Sequence, residues 1–247
     1  MLLKSHAKYI RSLAQQKYRK LHNAYVAEGE KLAREWLESD AEILMVVGLE
    51  SWLRQHEKLT ARHPQAEVLT VTESQLASLS SLQTPNQVLV VARLPQEDAS
   101  LPVEEWCLAL DTIQDPGNMG TIIRIADWFG IRHVVCSPDC ADAFAPKVVQ
   151  AAMGGHLRVD VQKTDLESFI RNAEMPVIAA TLSGENAYHV TSFEKGILLI
   201  GNESKGLSPE LAAMATHQVT IPRKGGAESL NAAVSAGILC ALLLPHA

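Results

Sequence analysis

Beyond residue 105 the chain alternates short apolar runs with helix-patterned segments, and this alternation restricts the fold more than any other feature of the sequence. The runs lie at 106–110 (WCLAL), 132–136, 177–181, 197–200 (ILLI) and 219–221, with helical segments between most of them. Such an order predicts an α/β domain around a largely parallel sheet, because crossover helices cover both faces of parallel strands. Several helix ends are marked: Gly130 follows a segment ending in Phe129, Ser208 and Pro209 supply an N-cap and a first-turn proline, and Pro245 follows the last helix.

The first hundred residues predict a smaller α/β unit. Residues 27–38 have helical spacing, 42–47 (EILMVV) are β-rich, and strand candidates follow at 68–71 and 88–92, with Thr72 and Gln75 placed as a capping box for the helix between them. Residues 93–105 (RLPQEDASLPVEE) carry two prolines and four acidic residues and read as a linker. The boundaries expected are therefore 1–98 and 104–247. A length of 247 residues, 47% of them hydrophobic, is ample for two cores.

No apolar run approaches the roughly 20 residues of a membrane helix. The opening MLLKSHAKYIRSLAQQ lacks the apolar centre of a signal peptide. A soluble, cytoplasmic protein with no membrane partner is expected. Cys107, Cys136, Cys140 and Cys240 are too few and scattered for a disulfide framework, and no second cysteine pair or histidine doublet joins CSPDC at ligand spacing, so no metal is expected.

A net charge of −6 argues against a protein that coats nucleic acid by bulk electrostatics. The charge is uneven, however. Residues 1–22 hold Lys4, Lys8, Arg11, Lys17, Arg19 and Lys20 with no acidic residue, and Tyr9 and Tyr18 are interleaved among them. This end is a candidate phosphate-binding surface, with Lys17, Arg19 and Lys20 its central cations; a solvated basic helix face is the alternative.

Three segments combine glycine with polar residues just after an apolar strand, where open α/β sheets place their ligands. In 111–126 (DTIQDPGNMGTIIRIA), Pro116 and Gly117 set a turn, Asn118 can cap a helix, and Met119, Ile122, Ile123 and Ala126 share one face from which Arg124 projects away. In 198–211 (LLIGNESKGLSPEL) a strand ends at Gly201 before the polar turn of Asn202, Glu203, Ser204 and Lys205. In 221–239 (IPRKGGAESLNAAVSAGIL), Glu228, Ser229 and Asn231 open an alanine-rich helix. Taken singly, these read equally as an exposed arginine, turn chemistry and a helix cap. GxGxxG, GxxxxGK[ST], GxSxG and HExxH are all missing, which removes the specific dinucleotide, P-loop and hydrolase readings.

As an ordered set, the three segments resemble the SpoU (TrmH-like) family of RNA ribose 2′-O-methyltransferases of the SPOUT superfamily. The patterns DxxxDPxNxGxIxRxA, GxExxGL and IPxxGxxESLN are met without gaps by 111–126, 201–207 and 221–231. The resemblance covers about residues 104–247, and RKLHNAYVAEGEKLAREWL looks more loosely like the opening of the ribosomal-protein-like substrate-binding domain of many members.

The resemblance implies a C-terminal trefoil knot, S-adenosylmethionine held by the knot loops, an obligate homodimer and a structured RNA substrate, ribosomal rather than transfer RNA. It further implies Arg124 as the catalytic arginine, with Asn118, Glu203, Ser229 and Asn231 completing the site. The backbone of Thr181, Leu182, Gly201, Ile221 and Leu230 would cradle the cofactor. In PKVVQAAMGG the family commonly has serine where Ala152 stands and arginine near Gln150, a departure that bears on local RNA or dimer contacts. A non-catalytic RNA-binding factor and a knotted enzyme methylating a transfer RNA base are the competing functions.

Overall fold

The computed structural model describes residues 2–82, 84–96 and 104–245, so most of the expected linker lies outside the described residues. The chain divides into two compact units, 1–96 with 144–157, and 97–143 with 158–247. The excursion 144–157, expected with the second domain, clusters with the first. No helix among the described residues is long and apolar enough to cross a membrane.

The first unit runs α1 (Lys4–Ser12), α2 (Gln16–His22), β1 (Ala24–Glu28), α3 (Glu30–Glu38), β2 (Ile43–Leu49), α4 (Glu50–Gln55), α5 (Glu57–Thr60), β3 (Glu67–Val71), α6 (Glu73–Leu79) and β4 (Val88–Arg93). Its four strands pair in the order β1-β4-β2-β3, antiparallel except for β2 with β3. Strand alternation sorts β4 between two cores: Val88, Val90 and Ala92 pack with Tyr25, Trp36 and Leu37, whereas Leu89 and Val91 pack with Ile10, Leu13 and Leu69. The expected capping box is present, with Thr72 Oγ1 accepting from Gln75 N and Gln75 Oε1 accepting from Thr72 N.

Residues 27–38, expected as one helix, divide at Gly29 into the end of β1 and α3. Gly29 has φ 101°, a left-handed value that breaks the helical path, and β1 forms a full ladder with β4.

The second unit runs β5 (Cys107–Leu110), α7 (Pro116–Trp128), β6 (His133–Cys136), β7 (Asp160–Lys163), α9 (Leu166–Arg171), β8 (Val177–Asn186), β9 (Ile197–Ile200), α10 (Pro209–Ala213), β10 (His217–Thr220) and α11 (Ala232–Leu243). All six strands are parallel, in the order β10-β8-β9-β5-β6-β7. The central strands β5 and β9 are buried at every position, as two-sided cover requires. β7 (DVQK), an edge strand with no fully buried residue, lacks an apolar run and has no counterpart among the sequence expectations. α11, apolar but for Ser235, buries Ala232, Ala233, Ala236, Leu239, Cys240 and Leu243 and packs on α7.

Between β6 and β7 the chain makes its excursion into the first unit, where α8 (Pro146–Ala152) packs on β1. Gln150 Nε2 donates to Glu28 O at 2.5 Å and Ala152 is fully buried. Gln150 thus ties α8 to β1 within the first unit.

Candidate active site

Strand order locates the site. The chain leaves β5 towards β6 on one side and leaves β9 towards β10 on the other, although β5 and β9 are neighbours paired through Leu110 and Ile200. Their carboxyl ends form a topological switch point, the crevice where open α/β sheets receive ligands. The first and second polar segments are the loops that rise from these two strand ends.

The first loop turns into α7 through Asp115, whose carboxylate accepts from Asn118 N at 2.8 Å, with Pro116 at the first helical position. The cap is therefore Asp115 rather than Asn118, which frees the Asn118 side chain. Met119, Ile122, Ile123 and Ala126 are fully buried and Arg124 is exposed, as the helical spacing predicts.

Asn118 Nδ2 donates to Glu203 Oε1, and Asn118 Oδ1 accepts from Asn231 Nδ2 at 2.8 Å. Asn231 Oδ1 in turn caps α11, accepting from Ala233 N at 3.0 Å and Val234 N at 3.2 Å. Three sequence-distant segments thus meet in one chain of side-chain hydrogen bonds that ends on a carboxylate. With a donor and an acceptor both specified, the Asn118 amide has a single orientation.

A second set of hydrogen bonds, invisible in the sequence, holds the two loops together. Buried Asp111 accepts from Ser208 N at 2.8 Å through Oδ2 and from Thr112 Oγ1 at 2.9 Å through Oδ1. Asn202 Nδ2 donates to Thr112 O at 2.9 Å, while its Oδ1 accepts from Ser204 N and Lys205 N. Thr112 has φ 57°, a strained value for a β-branched residue that these bonds and Ser137 Oγ, accepting from Thr112 N at 2.9 Å, hold in place. Gly201 is required by close approach, since a Cβ there would lie 2.4 Å from the backbone of Gly206 and Leu207.

The expected cofactor residues gather at the same end of the sheet. β8 pairs with β9 from Val177 to Ala179, and its register with β10 jumps from Ala179 to Glu185, so residues 180–184 lie outside both ladders as a bulged excursion of β8 containing Thr181 and Leu182. Gly184 allows it to rejoin, for a Cβ there would meet Gln218 C at 2.4 Å. Thr181 Oγ1 is buried without a hydrogen-bond partner, and Leu182 and Leu230 are 83% and 46% exposed. Gly201 and Ile221 follow β9 and β10. An unsatisfied hydroxyl, exposed apolar side chains and loop backbone at three neighbouring strand ends fit a nucleoside with an amino-acid tail.

Two expected residues stand apart. Arg124 is exposed and lies six positions along α7 from Asn118, about 9 Å of helix rise. Its guanidinium makes no hydrogen bond or ion pair among the described residues. Ser229, also exposed, does not join the Asn118 chain.

The expected RNA-contact residues divide. Lys17 and Lys20 are exposed, but Arg19 is buried and its Nη1 donates to Leu13 O at 2.7 Å. Arg19 faces inward because helical spacing places it on the core side of α2; its guanidinium fixes the turn from α1 rather than presenting to a phosphate. Among the described residues no group of three or more His, Cys, Asp or Glu side chains could hold a metal. The pKa of the Cys140 thiol is drawn down to about 6, first by the hydrogen bond from the Cys136 thiol and also by those of Ser137 and Ile113 N, opposed by its burial.

Comparison with known proteins agrees with this geometry. Residues 105–241 match the SpoU rRNA methylase family, and residues 4–90 match the MRM3-like substrate binding domain. A Bacillus subtilis protein named 23S rRNA (guanosine(2553)-2'-O)-methyltransferase RlmP is 30% identical over 94% of this chain and 97% of its own length. A TrmH-family structure from Porphyromonas gingivalis superposes with a TM-score of 0.88 at 40% identity, covering 99% of this chain and 98% of that one. An AdoMet-bound rRNA methyltransferase from Sinorhizobium meliloti gives a TM-score of 0.87 at 32% identity, covering 97% and 94%. With three gapless motifs, the matching family region and relatives aligned over nearly their whole length, the chain belongs to the SpoU rRNA methylase family.

Proposed function

We propose that this chain transfers the methyl group of S-adenosylmethionine to a ribose 2′-hydroxyl of ribosomal RNA in the cytoplasm. The observation that carries the reading is the hydrogen-bonded chain Glu203–Asn118–Asn231 at the switch point, beside the 180–184 excursion. Family membership makes the chemistry S-adenosylmethionine-dependent RNA methylation, and the names of the Bacillus subtilis and Sinorhizobium meliloti proteins favour ribosomal RNA.

When bound, the cofactor supplies an electrophilic methyl group on a sulfonium. The backbone at Thr181, Leu182, Gly201, Ile221 and Leu230 would hold it, with the orphan Thr181 hydroxyl gaining a partner. The protein's task is then alignment of the acceptor oxygen and relief of its proton. Asn118, fixed from both sides, holds Glu203 in one position and leaves the second carboxylate oxygen for a ribose hydroxyl or a guanidinium. Ser229 or Asn231 would mark the 2′-hydroxyl that distinguishes RNA from DNA.

Arg124 is a poor proton acceptor because a guanidinium does not deprotonate in proteins. As a fork of fixed donors it instead clamps a neighbouring phosphate and stabilises the charge that develops on the attacking oxygen. Its distance from the Asn118 chain and the exposed apolar side chains of Trp128, Leu230 and Val234 support a homodimer in which a second copy brings Arg124 to this site. A C-terminal knot is supported by the insertion of β9 between β8 and β5 and by the return of α11 onto α7, with Leu243 O accepting from Phe193 N of the β8–β9 connection. In this reading 1–98 binds RNA, 104–247 performs transfer, and no metal takes part.

Transfer of labelled methyl groups from S-adenosylmethionine to unmodified ribosomal RNA tests the proposal. Wild-type protein should transfer them and Asn118→Ala should lose at least about tenfold in kcat, since Glu203 would no longer be held. Equal rates for the two would remove the Asn118 chain from the mechanism.

A further inference from the structure

The opening helices carry an aromatic cluster that methyl transfer does not use and that meets the core only through Tyr9. Tyr18 and His22 lie four residues apart on one face of α2, their rings inclined by only 16° with centroids 6.3 Å apart. From α1, Tyr9 meets the His22 ring edge-on, at 85° and 5.0 Å. His22 is exposed and Tyr18 half-buried, so the rings are presented to solvent rather than absorbed by the core. The Lys17 ammonium sits 4.7 Å from the Tyr18 ring centroid, and Lys20 is exposed on the same helix. In a chain of net charge −6, residues 1–22 contain no acidic side chain.

We infer that Tyr18 and His22, buttressed by Tyr9, form a stacking platform for unpaired nucleobases of the RNA substrate, whose adjoining phosphates engage Lys17 and Lys20. The inference rests on the RNA-methyltransferase reading above and names the part of the substrate that this surface takes. Aromatic faces gain by stacking on bases that are not already stacked, so the platform selects single-stranded loops or bulges over continuous duplex. The edge-on Tyr9 holds the His22 ring in place before RNA arrives, which lowers the entropy cost of binding. Buried Arg19 does the same for the backbone, bonding the α1–α2 turn through Leu13 O.

The test is fluorescence anisotropy of the full chain with a labelled single-stranded RNA of mixed sequence and with the same sequence annealed to its complement. Methyl transfer to ribosomal RNA is measured in parallel. The double substitution Tyr18→Leu with His22→Leu keeps apolar bulk but removes both ring faces. It should weaken single-strand binding at least about fivefold, leave duplex binding within about twofold and leave the salt slope unchanged, because every lysine that engages phosphate is kept. Tyr18→Phe should bind like wild type. Retained duplex binding also shows that the doubly substituted chain is folded. Equal weakening on both RNAs, or none on either, overturns the platform; if ribosomal RNA is still methylated in that case, the proposed function stands without it. A wild type that binds neither RNA and transfers no methyl group removes both.

Discussion

Polar side chains are handled in opposite ways by the loops above the six-stranded sheet and by the two opening helices. At the switch point Asp111, Asn202, Asn118 and Asn231 are committed to one another and to backbone groups, and the strained Thr112 is held by them. On α2, Lys17, Lys20 and His22 are exposed, while only Arg19 is drawn into the fold. The first arrangement is expensive to build and fixes atoms to a fraction of an ångström; the second costs little and acts through a field that salt screens. Reaction chemistry needs the former, and capture of a large polyanion is served by the latter.

The difference can be broken or sharpened by substitution. The largest effect is expected from Arg124→Ala, which should lower turnover about 100-fold or more with cofactor affinity nearly unchanged, as for an interaction made mainly in the transition state. Equal turnover, measured alongside calorimetric cofactor binding, would take the arginine out of the chemistry. Gly201→Ala comes next: its methyl group would strike the backbone of Gly206 and Leu207, so the loop must shift, and cofactor titration should show affinity reduced by about tenfold or more.

Asn231 separates two roles that share one residue. Asn231→Ala removes both the α11 cap and the donor to Asn118 and should cost about 1 kcal/mol of stability as well as activity. Asn231→Asp keeps the capping oxygen and removes the amide donor; thermal melts should then stay near wild type while kcat still falls. The smallest effects belong to the opening helices. Lys17→Ala with Lys20→Ala should leave the melting temperature in place and flatten the salt dependence of single-strand RNA binding by about 0.7 for each phosphate no longer neutralised. Arg19→Ala should do the reverse, lowering stability by roughly 1–3 kcal/mol because it removes a buried, charged hydrogen bond to Leu13 O.

The second unit was legible where apolar runs and helix punctuation coincide. ILLI is β9 at the expected residues, the helix over Pro116–Trp128 buries the expected stripe, and Ser208 caps α10 through Leu211 N. It was opaque where pairing rather than composition makes a strand, as in β7. In the first unit a single left-handed glycine, Gly29, divides what reads as one helical pattern. Asn118, Glu203 and Asn231 could be singled out only as members of ordered motifs, since each alone reads as a turn or cap. Asp111 and Asn202 could not be singled out by role, because their partners lie 97 and 90 residues away. Arg19 shows the converse limit: a run of cations says nothing about which one turns inward.

The most direct test of the account is mass spectrometry of nucleosides from unmodified ribosomal RNA after incubation with S-adenosylmethionine and the full chain. A new nucleoside is expected whose added methyl group lies on the ribose 2′-oxygen. A methyl group on a base with the ribose unchanged, or no methylated nucleoside despite measurable cofactor binding, would contradict it.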